Sequence, residues 1–203
     1  MDISKYTVPF FVVVAVVSLL VASPALSRVL VYPRTEFFTE LYILGPNDMA
    51  EDYPYNLSSG QSYSVYLGIG NQLGYCAYYV VEVKFRNETQ SAPSNFGTPG
   101  TQTPSSMPSL FNVTAFVADE TTWETPLTFS FSYGFNETLS EVQFSSLTLN
   151  GVALDMRGES SAWNANETMF YGDLVFELWL FSSSTSAFQY NGRYVDLLLN
   201  MTV

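Results

Sequence analysis

The residues best suited to chemistry are carboxylates in two short runs: Asp48, Glu51 and Asp52, then Asp119, Glu120 and Glu124. Either run offers hard oxygen ligands of the kind Ca²⁺ takes, with Asp48, Glu51 and Asp52 the stronger candidates. Neither has EF-hand or calcium-repeat spacing, and acids solvated in a turn are the simpler reading of both. Paired carboxylates also hydrolyse glycosides, but that requires a cleft spacing that no sequence displays. The chain has no histidine, which removes the commonest general base and the commonest nitrogen ligand for transition metals. Gly-x-Ser-x-Gly and phosphate-loop motifs are absent from the sequence. Cys76 is the single cysteine, so an intrachain disulfide is impossible, and its place beside Tyr75 at a strand start predicts a buried, inert thiol. Trp123, Trp163 and Trp179 are candidates for stacking on pyranose faces, with core packing the simpler role for each. No catalytic residue, cofactor or bound metal is expected from this set.

Those side chains need a scaffold, and the totals constrain it. The 203 residues allow one domain with an anchor, and 47% hydrophobic residues suffice for a core. Seven basic against nineteen acidic residues give a net charge of −12, a field that repels nucleic acid. Near the N-terminus, Tyr6–Ser27 is a run of 22 residues without a charge, long enough for a hydrocarbon core of about 30 Å. Residues 1–28 are therefore expected to form a single transmembrane helix. A cleaved signal peptide is the rival, because small residues around Ala25 and Ser27 suit a signal peptidase.

From residue 29 to 203 the dominant hydrophobic period is two. Tyr63, Val65, Leu67 and Ile69 share a face, as do Tyr79, Val81, Val83 and Phe85, with Glu82 and Lys84 opposite. Leu127, Phe129, Phe131 and Tyr133 form a third such set. Leu174, Phe176, Leu178 and Leu180 form a fourth, and Val195, Leu197, Leu199 and Met201 close the chain. A phase slip at Ser145-Ser146 predicts a β-bulge. About eight or nine strands joined by polar turns predict an all-β, antiparallel, two-sheet sandwich of immunoglobulin-like type. Insertions are expected near 87–110, where residues 90–109 hold four prolines and no charge, and near 134–171, where 157–172 reads as irregular. The Gly45-Pro46-Asn47-Asp48 turn ends one strand, and the acidic, aromatic loop after it is expected to wrap one end of the sandwich, with Tyr53 and Tyr55 packing beside Pro54.

Six of the twelve asparagines are glycosylation sequons: Asn56, Asn87, Asn112, Asn136, Asn166 and Asn200. Asn112 and Asn200 fall on outward strand phases and the other four in turns or loops, which is where a bulky glycan fits.

The stretch from Glu36 to Gln72, with its aromatic-Thr-Glu strand, Leu-Gly-Pro turn and Tyr-Pro-x-Asn-Leu segment, resembles an archaeal family catalogued as domain of unknown function 1616. Weaker blocks of resemblance lie at 78–85, 120–131 and 174–201. The resemblance implies a membrane-tethered archaeal sandwich domain and implies no activity.

The expected role is a non-catalytic, glycosylated, extracytoplasmic interaction or structural domain. It would sit on a single-pass anchor, as an accessory subunit of a membrane or envelope complex. Its partners would be the membrane, through the N-terminal helix, and other envelope proteins. One alternative is a subunit of a surface filament or layer, self-associating by strand addition through the apolar segment 29–32. A second is a carbohydrate-binding or carbohydrate-active protein.

Overall fold

A computed structural model describes residues 4–29, 36–94, 101–165 and 168–203. Contacts divide the chain into two units, residues 1–37 and 38–203. The first holds one helix, α1 (Ser4–Val29), with Pro9 in its second turn and Pro24 near its end. Its side chains are described from Val8 to Pro24, and Val12, Val13, Val14, Val16 and Val17 are among the exposed ones. Adjacent positions are apolar, so the helix has no polar stripe. At about 1.5 Å per residue, that described stretch covers about 25 Å. No helix among the described residues is long and apolar enough to cross a membrane. The spanning helix expected over this segment is therefore not established by them.

The second unit is built from β-strands, as the period of two requires. They are β1 (Phe38–Leu44), β2 (Asn56–Leu57), β3 (Tyr63–Gln72), β4 (Ala77–Arg86), β5 (Phe111–Val117) and β6 (Thr121–Asn136). β7 (Glu141–Leu149), β8 (Val152–Asp155), β9 (Ser160–Asn164), β10 (Met169–Ser182) and β11 (Ala187–Met201) follow. They form one continuous hydrogen-bonded sheet whose main path runs β1-β3-β6-β7-β9-β10-β11-β2. β8 pairs with β7, while β4 lies between β10 and β5.

The sheet curls so that its halves face each other across one core. Phe85 of β4 packs on Phe131 of β6 at 5.7 Å and on Phe144 of β7 at 4.8 Å between ring centroids. The inward phases expected from the sequence are buried: Val65, Leu67, Tyr79, Val81, Leu127, Phe176 and Leu199 are each fully enclosed. The predicted bulge is present. Ser132 pairs with Ser146 and Tyr133 with Phe144, which leaves Ser145 as the extra residue, its Oγ donating to the Ser132 carbonyl.

Four expectations need correction. The described strands lie in one curled sheet and not in two, because β9 pairs with both β7 and β10 and joins the halves. Strands number eleven among the described residues, because β2, β8 and β9 are too short to carry a period. Pairing is not wholly antiparallel: β2 lies parallel to β11, with Asn56 opposite Asn200 and Leu57 opposite Met201. The segment read as irregular contains β9, which joins the two halves. Its first residues pair with Glu141–Gln143 of β7, and Trp163 and Asn164 pair with Phe170 and Met169 of β10.

Candidate functional site

The acidic loop is positioned by its turn. Gly45 O accepts the Asp48 amide at 3.1 Å and Gly45 N donates to Met49 O at 2.7 Å, so the chain doubles back beside Pro46. A Cβ on Gly45 would lie 1.9 Å from the Glu51 carbonyl oxygen, so only glycine fits there. Tyr53 donates to Ile43 O at 2.9 Å and Tyr55 to the Met169 sulfur at 3.4 Å, drawing the loop onto the sheet as expected. Asp48, Glu51 and Asp52 all stay exposed. No group of three or more metal-binding side chains occurs among the described residues. The second acidic run is likewise dispersed. Asp119 accepts the Gly74 amide at 2.9 Å, and Glu124 accepts the Tyr42 hydroxyl at 2.5 Å.

The charges that matter lie on the outer face of β4 and β10. β10 is buried on both faces: Leu174, Phe176 and Leu178 look into the core, while Asp173, Val175 and Glu177 are fully buried on the other side. Cover for Glu177 comes from the proline-rich loop, where Ser105 donates to Oε1 through its backbone N at 2.9 Å and also through its hydroxyl. Lys84 Nζ meets Glu177 Oε2 at 2.8 Å and Glu82 at 3.1 Å, with only 4% of the lysine side chain exposed. One row away, Arg86 and the Tyr171 hydroxyl both bind Asp173 Oδ2. Asp173 Oδ1 has no hydrogen-bond partner. Asp196 keeps 44% of its side chain exposed; partial burial pushes its carboxyl above its ordinary range, Asp173 adds to this and Arg86 opposes it. Burial also raises Tyr171, helped by its bond to Asp173. The sequence placed Lys84 on the outer phase but gave no sign of its burial, because the covering loop carries no periodic signal.

At one end of this face the charges give way to aromatic rings. Phe116 of β5, Tyr78 of β4, Phe181 of β10 and Phe188 of β11 come from four neighbouring strands, with Tyr78 6.4 Å from Phe116, 6.4 Å from Phe181 and 5.2 Å from Phe188, and Phe181 5.4 Å from Phe188. Register explains the alignment, since Tyr78 pairs with Phe116 and Phe181 with Phe188. Beside the row lies a hollow of about 590 Å³, edged by Tyr75, Cys76, Gln102, Gln189, Tyr190 and Asn191 among others. Cys76 is exposed rather than buried, because it stands in the turn before the β4 ladder begins. None of the three tryptophans belongs to the row. Trp123 packs against the core, Trp179 stacks near Tyr190 at 5.7 Å, and Trp163 is 49% exposed while its ring meets Phe170 at 5.1 Å. The row was available in the sequence as apolar rings on outward phases, such as Tyr78 next to inward Tyr79.

A second groove, of about 630 Å³, runs between the two open sides of the curled sheet and is lined by Tyr42, Ile43, Tyr53, Tyr55, Asp196 and Leu198 among others. Among the described strands, β1 pairs only with β3, so its outer edge borders this groove unpaired. The apolar segment 29–32 begins at Val29, the last residue of α1, and otherwise lies outside the described residues.

Of the sequons, Asn56 and Asn112 are exposed and Asn87, Asn136 and Asn200 are half-buried. Asn166 lies outside the described residues. The Asn87 amide donates to Ser160 O at 3.1 Å, and the Asn200 amide to Asn56 Oδ1 at 2.8 Å.

The model of the family described as Domain of unknown function (DUF1616) matches residues 33–145. The chain belongs to that family. The match takes in β1 to β6 and the start of β7, so the acidic loop, Lys84 and Arg86 fall within the DUF1616 region, while Asp173, Glu177 and half of the aromatic row lie beyond it. No curated protein matches this DUF1616 chain. Among solved structures, a β-glucosidase from Listeria innocua in complex with glucose is 11% identical with a TM-score of 0.34, covering 83% of this chain and 17% of its own. A structure of the complex between zinc α2-glycoprotein and prolactin-inducible protein from human seminal plasma is 7% identical with a TM-score of 0.38, covering 84% of this chain and 100% of its own. The chain thus spans about a sixth of the glucosidase, and neither likeness is close enough to bear on function.

Proposed function

We propose that this DUF1616 protein is a non-catalytic interaction or structural domain. It would be held at an archaeal membrane by its N-terminal segment, face the cell exterior, carry glycans, and serve as an accessory subunit of a membrane or envelope complex. One observation carries the reading. The charged side chains best placed for chemistry, Lys84 with Glu177 and Arg86 with Asp173, neutralise one another inside the sheet, while the outward surface next to them is aromatic. An enzyme keeps its reactive groups available to a substrate, and these are closed off by Ser105 and Tyr171. The curled sheet reads as an open variant of an immunoglobulin-like sandwich. Support for membrane attachment comes from the 22 uncharged residues of Tyr6–Ser27. Exposed Asn56 and Asn112 support glycosylation.

Purification from native membranes with mass spectrometry of what accompanies the chain is the direct test. A constant set of envelope or membrane proteins, and an intact mass above that of the polypeptide, are expected. A soluble, unmodified chain turning over ester, glycoside or peptide substrates would overturn the reading. A second reading, assembly into a surface filament, is favoured by the unpaired edge of β1 beside its groove. Mechanical shearing of cells would release such filaments into the supernatant, whereas an accessory subunit would stay with the membrane.

A further inference from the structure

We infer that the aromatic row Phe116–Tyr78–Phe181–Phe188 and the adjoining hollow form a binding site for a neutral saccharide chain. The inference rests on the interaction-domain reading and supplies its ligand class. Exposure comes first. Phe116 is 69% exposed, Tyr78 40% and Phe181 38%, although outward strand positions of a soluble domain are ordinarily polar. Geometry comes next. Tyr78 stands at the centre and meets Phe116 at 6.4 Å, Phe181 at 6.4 Å and Phe188 at 5.2 Å, so the four rings form one contiguous patch on which a pyranose can stack. One face of a pyranose ring is made of C–H groups and stacks on an aromatic face, while its hydroxyls point sideways and need hydrogen-bonding partners.

Those partners are in place. The hollow beside the row is edged by the amides of Gln189 and Asn191 and the hydroxyls of Ser182 and Ser183. Charge decides the ligand class. The chain carries −12 overall, yet none of the described residues lining the hollow is charged. An acidic polysaccharide or a peptide read through its charges would find no ionic partner here, whereas a neutral, polyhydroxylated chain needs none.

The test uses the full-length protein in detergent with soluble neutral α- and β-glucans, and an acidic polysaccharide as a comparison. Calorimetry or affinity electrophoresis should show binding of at least one neutral glucan and none of the acidic polymer. Phe116→Ala and Phe181→Ala should each weaken binding at least tenfold with an unchanged melting temperature, because both rings stand at the surface. Absence of binding to every neutral glucan, or binding indifferent to both phenylalanine substitutions, overturns the site. So does a result in which those substitutions change only self-association or attachment to phosphatidylcholine vesicles. Cleavage of a bound glucan would instead leave the site standing and end the non-catalytic reading, whereas failed glucan binding with intact co-purifying partners would do the reverse.

Discussion

At the scale of single residues, the buried Lys84–Glu177 pair sets the sharpest expectation. Glu177 is fully buried and loses its cation when Lys84 is removed, so Lys84→Met should destabilise the domain by about 3–5 kcal/mol in urea denaturation. The double substitution Lys84→Met with Glu177→Leu should recover most of that loss, because no fully buried ion remains and Glu82 keeps a quarter of its side chain in solvent. Asp196 gives a pH signature. Its carboxyl is raised in the folded state by partial burial and by Asp173, an effect that solvent at the exposed side screens, so the native protein holds that proton somewhat more tightly than the unfolded chain does. Its contribution to stability is therefore complete below the ordinary aspartate range and declines as pH rises through the raised value. Asp196→Asn should flatten that decline in melting temperature measured across the acidic range. Neither relation was legible in the sequence. Lys84 and Arg86 alternate on one strand as visible outward charges, but their partners stand 93 and 87 positions away, beyond the reach of any local pattern.

At the scale of elements, the long strands were legible and the short ones were not. β4, β6 and β11 alternate buried with more exposed positions, and β3 and β10, though covered on both faces, still carry large apolar residues at every second position, so the apolar period marks all five. β9 has five residues and takes its identity from the two strands it joins. Its junction with β10 is held by Phe170, 6% exposed, against Trp163 and against Phe135 at 5.6 Å. Phe170→Ala should therefore lower stability by about 3 kcal/mol. Trp163→Ala, at a half-exposed position, should lower it by only about 1 kcal/mol, and paired denaturation curves would separate them. The turn that ends β1 was readable from Gly45-Pro46, although the reason for the glycine was not. It is the Glu51 carbonyl folded back against it. Gly45→Ala should destabilise by about 1–3 kcal/mol, and hydrogen exchange should show the loss concentrated in residues 45–55.

At the scale of the whole molecule, the consequence of β10 lying between β4 and β11 concerns how the domain comes into being. Arg86 and Asp173 are 87 residues apart in the chain, and Asn56 and Asn200 are 144 apart. Central pairing of one half of the sheet thus waits until synthesis has passed Ser182, and the parallel contact of β2 waits until Met201 has been added. Closing such long loops before any contact rewards them is slow, so refolding should take milliseconds to seconds, the range of all-β domains rich in distant contacts. Chains truncated before Ala187 should remain protease-sensitive throughout, while the full chain becomes resistant in a single cooperative step. During that interval the inner rows of β3, β4 and β6 emerge as bare apolar ribbons with open edges. A nascent chain of this design spends most of its synthesis as a client for whatever shields unfinished sheets.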